Sequence, residues 1–123
     1  MDHWTVLTSE QGVVITCRGY DRNHAVQAAV NAFHATAAER KGDFAIIADL
    51  AEMTGYETES RRAWQTAFAK YRGRVLVLVL VGARTALIKM CFAAVGAHAG
   101  IPVKFVSNWS EVSSCPRPDR TRL

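Results

Sequence analysis

The chain lacks an apolar run long enough to cross a bilayer. Its longest, Val75-Leu76-Val77-Leu78-Val79-Leu80-Val81, falls far short of the roughly 20 residues that a spanning helix needs. No signal peptide is expected at its start either, because Met1-Asp2-His3-Trp4 carries neither the basic region nor the apolar block of one. Cysteine is scarce and odd in number, with Cys17, Cys91 and Cys115 far apart. No disulfide framework is expected, and Cys17 and Cys91, which fall within apolar patterns, read as buried free thiols. These absences predict a soluble, cytoplasmic protein without membrane insertion.

The usual signatures of chemistry are missing too. There is no Gly-x-Ser-x-Gly elbow, no P-loop and no Gly-x-Gly-x-x-Gly. No two of His3, His24, His34 and His98 have the i, i+4 spacing of a helical metal site. No catalytic residue, metal or cofactor is therefore expected. Repeats and internal linkers are absent, and two of the three prolines fall in the last nine residues, Cys115-Pro116-Arg117-Pro118-Asp119-Arg120-Thr121-Arg122-Leu123. That end carries three Arg and one Asp, a net +2 out of the formal +4 of the chain. Residues 115–123 read as a disordered basic tail and 1–114 as one domain. No aromatic-basic interleaving accompanies the tail, so nucleic acid is not an expected partner.

What is present is an alternation of strands and helices over 123 residues, long enough for one real core. Trp4–Leu7 and Val13–Arg18 read as a hairpin around Ser9-Glu10-Gln11-Gly12. A helix capped by Asp21 or Asn23 follows, with Val26, Ala29, Val30, Phe33 and Ala37 on one stripe. Phe44–Leu50 reads as a buried third strand. A second helix, from about Glu57 to Arg72, carries Trp64, Ala67, Phe68 and Tyr71 on one face and is stopped by Gly73. Val75–Val81 reads as a central strand, with its side chains alternating between two helical layers. A third helix spans Ala86 to about His98, a fifth strand Pro102–Val106, and a short last helix Trp109 to about Ser114. The order β-β-α-β-α-β-α-β-α predicts an α/β fold, a mostly parallel sheet with one antiparallel edge.

The segment Phe44 to Trp64 holds the best candidate site, since loops at the carboxyl ends of parallel strands usually carry function. Asp49 at the strand end reads as a base or, more simply, as an acceptor for loop amides. Glu52, Glu57 and Glu59 read as a solvated acidic rim, with a divalent-cation site as the sharper alternative. Thr54-x-x-Glu57 fits a capping box, which places Thr58 exposed in the first turn. Gly82-Ala83-Arg84-Thr85 reads as a turn into a capped helix, or as an anion cradle at its start. The third helix is apolar over much of its circumference, and Ile88 and Phe92 are expected at an oligomer interface.

This element order, and the placement of Phe44–Trp64 within it, resemble the STAS family of anti-sigma-factor antagonists, and especially the SpoIIAA-like, STAS/SEC14-type small bacterial proteins. Asp49-Leu50 is similar to the family's strand end, and the family's Asp-Ser-Ser-Gly phosphoacceptor motif falls on Glu57-Thr58-Glu59-Ser60. The resemblance implies a non-enzymatic regulatory interaction domain, with Thr58 at the phosphoacceptor position. It leads us to expect a protein partner, an unknown regulator or kinase-like protein, bound through Tyr56, Thr58, Arg61 and Arg62. Separately, the apolar edge that Ile88 and Phe92 add to the third helix predicts a homo-oligomer, simplest as a homodimer. The alternative is a SEC14-like carrier of a small apolar ligand, held between the third helix and the sheet against Ile88, Phe92 and Val95.

Overall fold

The computed structural model describes residues 4–114. The expected basic tail, 115–123, together with His3 and Cys115, lies outside the described residues. Five strands form one sheet in the order β1-β2-β3-β4-β5. They are β1 (Trp4–Thr8), β2 (Gly12–Asp21), β3 (Phe44–Tyr56), β4 (Val75–Val81) and β5 (Val103–Val106). β1 pairs antiparallel with β2, and the other three pairings are parallel. Three helices, α1 (Asn23–Ala38), α2 (Thr58–Ala69) and α3 (Ala86–Ala99), link the parallel strands, and a 3-10 turn, Trp109–Ser114, follows β5. The fold is mixed α/β, as expected.

Each parallel connection steps to the next strand in the same direction. Right-handed crossovers made in one direction put every helix on the same face. Phe33 of α1, Trp64 and Phe68 of α2, and Ile88, Phe92 and Val95 of α3 accordingly share one core with Ile15, Ile46, Leu78 and Leu80 of the sheet. An aromatic cluster sits at its centre, with Phe33 and Phe68 ring centroids 5.3 Å apart and Trp4 and Trp64 4.9 Å apart. The opposite face carries Ala45, Ile47, Val77, Val79 and Val81, packed with Val106 and with Val112 of the 3-10 turn. Val75–Val81 is thus central and buried on both faces, but the expected second helical layer is replaced by the 3-10 turn.

Several element limits differ from those read in the sequence. β2 runs on to Asp21, and β3 runs through Met53–Tyr56 rather than ending at Leu50. The two strands extend together, pairing Gly19 with Met53 and Asp21 with Tyr56, across irregularities between Thr16 and Arg18 and between Gly19 and Tyr20. Such bulges break the alternation of sides. Ala51 and Glu52 are consecutive and both exposed, which hides the continuing strand from a period-two reading. α2 ends at Ala69, three residues before the expected Arg72. α3 ends as expected, with Gly100 in the left-handed conformation at φ 76°. Gly96 lets α3 sit close on the sheet, because a Cβ there would lie 2.3 Å from Val103 Cγ2.

Candidate functional site

The carboxyl ends of β2 and β3 meet the amino ends of α1 and α2 at one corner. Glu57, between β3 and α2, donates its N–H to the Asp21 carbonyl at 3.0 Å. Its carboxylate accepts from the Asn23 N–H of α1 at 2.6 Å. In return Asn23 Oδ1 accepts from the Ser60 N–H of α2 at 3.1 Å. Each helix therefore caps the other: a side chain at one amino end satisfies an amide of its neighbour. Tyr20 Oη donates to the Tyr56 carbonyl at 3.1 Å and ties the same strand ends together. Below them the buried Asp21 carboxylate accepts from Trp4 Nε1 at 2.7 Å.

These bonds overturn the local capping expected from the sequence. Thr54 lies in β3 and caps nothing, and the N-cap position of α2 is Glu57, whose side chain serves α1 instead. The N-cap position of α1 is Arg22, with no side-chain bond, while Asp21 ends β2 and Asn23 serves α2. Strand extension caused the shift, since the loop left between Tyr56 and Thr58 is a single residue. The conclusion drawn from the box nevertheless holds: Thr58 is the first residue of α2 and is exposed.

The four expected partner-binding residues divide into two pairs. Thr58 and Arg62 are exposed, and Arg62 Nη1 donates to Glu59 at 3.3 Å. Tyr56 and Arg61 are half-buried and converge on Cys91 of α3, which hydrogen-bonds the Tyr56 hydroxyl. Burial pushes the Cys91 thiol up to about 11, with Asp21 adding to the rise, while the Tyr56 hydrogen bond and the Arg61 charge pull it down. Burial likewise raises Tyr56, and the neighbouring Cys91 adds to it. This joint of β3, α2 and α3 was not visible in the sequence, where Cys91 signalled only a buried thiol.

The remaining candidates have structural partners. Asp49 accepts from the Ala51 N–H at 3.2 Å and from Trp109 Nε1 at 2.8 Å, so it braces the bulged stretch of β3 and ties it to the 3-10 turn. Glu52 faces Arg18 at 3.5 Å, Glu57 caps α1 and Glu59 meets Arg62. Among the described residues no three His, Cys, Asp or Glu side chains group as metal ligands. Thr85 Oγ1 accepts from the Ile88 N–H at 3.2 Å, a helix cap after the Gly82–Arg84 turn. His34 Nδ1 lies 3.1 Å from the Tyr71 hydroxyl, and burial with nearby Lys70 lowers its pKa.

Ile88 and Phe92 are not at the surface. They are 1% and 2% exposed, in the core against the sheet, and the large exposed apolar side chains of α3 are Leu87 and Met90. A stripe that extends most of the way around a helix does not fix which side turns inward. Val95 is fully buried beside them, so the three side chains expected to line a ligand cavity are packed into the core. Nor does the sheet have a strand-order reversal within β2 to β5, and ligand crevices in open parallel sheets form at such reversals.

No protein-family model and no curated protein match the chain. Among solved structures it is similar to an uncharacterized protein of the DUF3478 family with a SpoIIAA-like fold from Shewanella loihica PV-4. The two share 10% identity, with a TM-score of 0.68 over 90% of each chain. The protein therefore has a SpoIIAA-like fold, the STAS-type architecture that its sequence resembles. Among the described residues no helix is long and apolar enough to cross a membrane.

Proposed function

We propose that the protein is a non-enzymatic regulatory module of bacterial signalling, binding a protein partner through the β3–α2 corner and the first turn of α2. One observation carries this reading. Thr58 stands exposed as the first residue of α2, at the carboxyl end of the longest strand, beside Arg61, Arg62 and Tyr56. The first-turn amides of Thr58 and Glu59 have no carbonyl within their own helix to bond. A phosphate on Thr58 would meet the positive end of α2, with the flanking Glu57 and Glu59 opposing it. Arg and Tyr are favoured interface anchors. The sheet's lack of a reversal favours a surface role over an enclosed site. Work at such a surface needs a cytoplasmic partner, a regulator or kinase-like protein, and no cofactor.

The test is partner capture from the native host, with the bound proteins compared by mass spectrometry between the wild type and three variants. Thr58→Glu, Arg61→Ala and Tyr56→Ala are expected to deplete the same partner, the last two by more than ~1 kcal/mol of binding. Thr58→Glu, at an exposed site, should alter stability by no more than ~0.5 kcal/mol. Equal capture by all three variants would remove the corner from the interface.

A further inference from the structure

The outward side of α3 carries an apolar strip bordered by the exposed Lys89 and His98. Ile88, Cys91, Phe92, Val95, Gly96 and Ala99 face inward. Ala86, Leu87, Met90 and Ala97 face solvent, with Leu87 61% and Met90 68% exposed. Across Lys89 stands Phe105 of the edge strand β5, 48% exposed, its ring centroid 6.0 Å from Lys89 Nζ. A groove of about 220 Å³ lies between Lys89 and Phe105, floored by Leu80 and Val106. Single exposed apolar residues need no explanation, but a strip one helix long with a groove at its edge marks a contact surface.

The charge around the strip has one sign. Residues 60–110 contain three Lys and five Arg and no Asp or Glu. Arg84 and Lys89 are the exposed cations beside the strip. The carboxylates that bound this segment are engaged elsewhere, Glu59 by Arg62 and Glu111 by the Ser107 N–H. A second copy of the chain laid on the strip would bring Lys89 and Arg84 against their own equivalents with no carboxylate from residues 60–110 between them. Like charges across an interface cost several kcal/mol. A nucleic acid would meet the cations but leave Leu87 and Met90 without apolar partners. The length of the strip, its small Ala86 and Ala97, and its cationic margins suit a helix with the opposite pattern.

We propose that the outer face of α3, with Phe105 of β5, docks an acidic amphipathic helix of another protein. Leu87 and Met90 would enter its apolar stripe, while Arg84 and Lys89 meet carboxylates on its margins. The partner's apolar residues recur at helical spacing, and one large side chain fills the groove beside Phe105. This surface is separate from the Thr58 turn, and the proposal stands whether or not that turn binds a partner.

The experiment titrates the isotope-labelled full chain with a synthetic amphipathic helix bearing leucines on one face and glutamates along both margins. The control peptide has lysines in place of the glutamates. The amides of α3 and of Phe105 are expected to shift with the acidic peptide alone, and the affinity to fall as salt rises. Met90→Asp and Lys89→Glu, both at exposed positions, should each weaken binding roughly tenfold or more, about 1.4 kcal/mol, while Thr58→Glu leaves it unchanged. Four results would overturn the proposal: no binding of the acidic peptide, equal binding of both peptides, shifts confined to other elements, or binding unaffected by Met90→Asp. A solution mass that rises with concentration and returns to monomer in Met90→Asp would assign the strip to a second copy. Preferential binding to phosphatidylserine vesicles would assign it to a lipid surface, and either result rejects the acidic helix.

Discussion

Cys17 and Cys91 are the residues whose chemistry burial changes most. Burial pushes Cys17 up to about 12, with the Asp21 charge adding to it, and pushes Cys91 up to about 11, against an ordinary value of 9.0 for each. Both thiols are therefore neutral in the folded protein at ordinary pH. As pH rises above 9 the unfolded chain loses thiol protons that the folded chain keeps. The stabilisation is complete below pH 9 and is lost as pH climbs toward 11–12. Denaturant unfolding between pH 8 and 10.5 should show stability falling at the alkaline end, and Cys91→Ala should lessen that fall whatever it costs at neutral pH. Parallel profiles for the two proteins would show that Cys91 is not a source of it. The sequence revealed both thiols as buried because each sits in an apolar pattern. It did not reveal the Tyr56 hydroxyl beside Cys91, since that contact joins the end of one strand to the middle of a later helix.

Between elements, the reciprocal caps are the joint most open to measurement. Glu57 serves α1 and Asn23 serves α2, so each substitution damages the helix that does not carry it. Glu57→Ala and Asn23→Ala should each cost about 1 kcal/mol. In the double variant the losses should not add, with a coupling of at least ~0.5 kcal/mol, because the two bonds hold one corner. Strict additivity in urea unfolding would mean two independent caps. The same corner shows where the sequence stops being legible. Phe44–Ala48 and Val75–Val81 could be read directly, because near-continuous burial leaves an unbroken apolar run. The end of β3 could not, because the bulged pairing with β2 puts Ala51 and Glu52 outward in succession and carries Thr54 into a strand. For α3 the extent of apolar surface was legible and its phase was not. Ile88 and Phe92 therefore changed places with Leu87 and Met90 in the expected interface. Of the candidate site, the exposure of Thr58 was legible, while its neighbours' bonds depend on contacts from far along the chain.

At the scale of the whole molecule, β4 should be the last part of the sheet to open. It is flanked by β3 and β5, and its side chains lie within two apolar clusters, one on each face. Native-state hydrogen exchange should place the amides of Val77–Val81 among the slowest, requiring near-global unfolding, and those of the edge strand β1 well above them. Equal rates in β4 and β1 would contradict this account of the core. The strand order has a further consequence. Space and chain order coincide from β1 to β5, so each strand can pair with the one made just before it. Each closure spans at most one helix and its turns, and the entropy of bringing ends together stays small at every step. A chain emerging from the ribosome can therefore extend its sheet as it is synthesised, with no early strand waiting for a distant neighbour. During that growth the margin opposite β1 is always the newest strand, and the last strand added, β5, is four residues long and too short to invite much stray pairing.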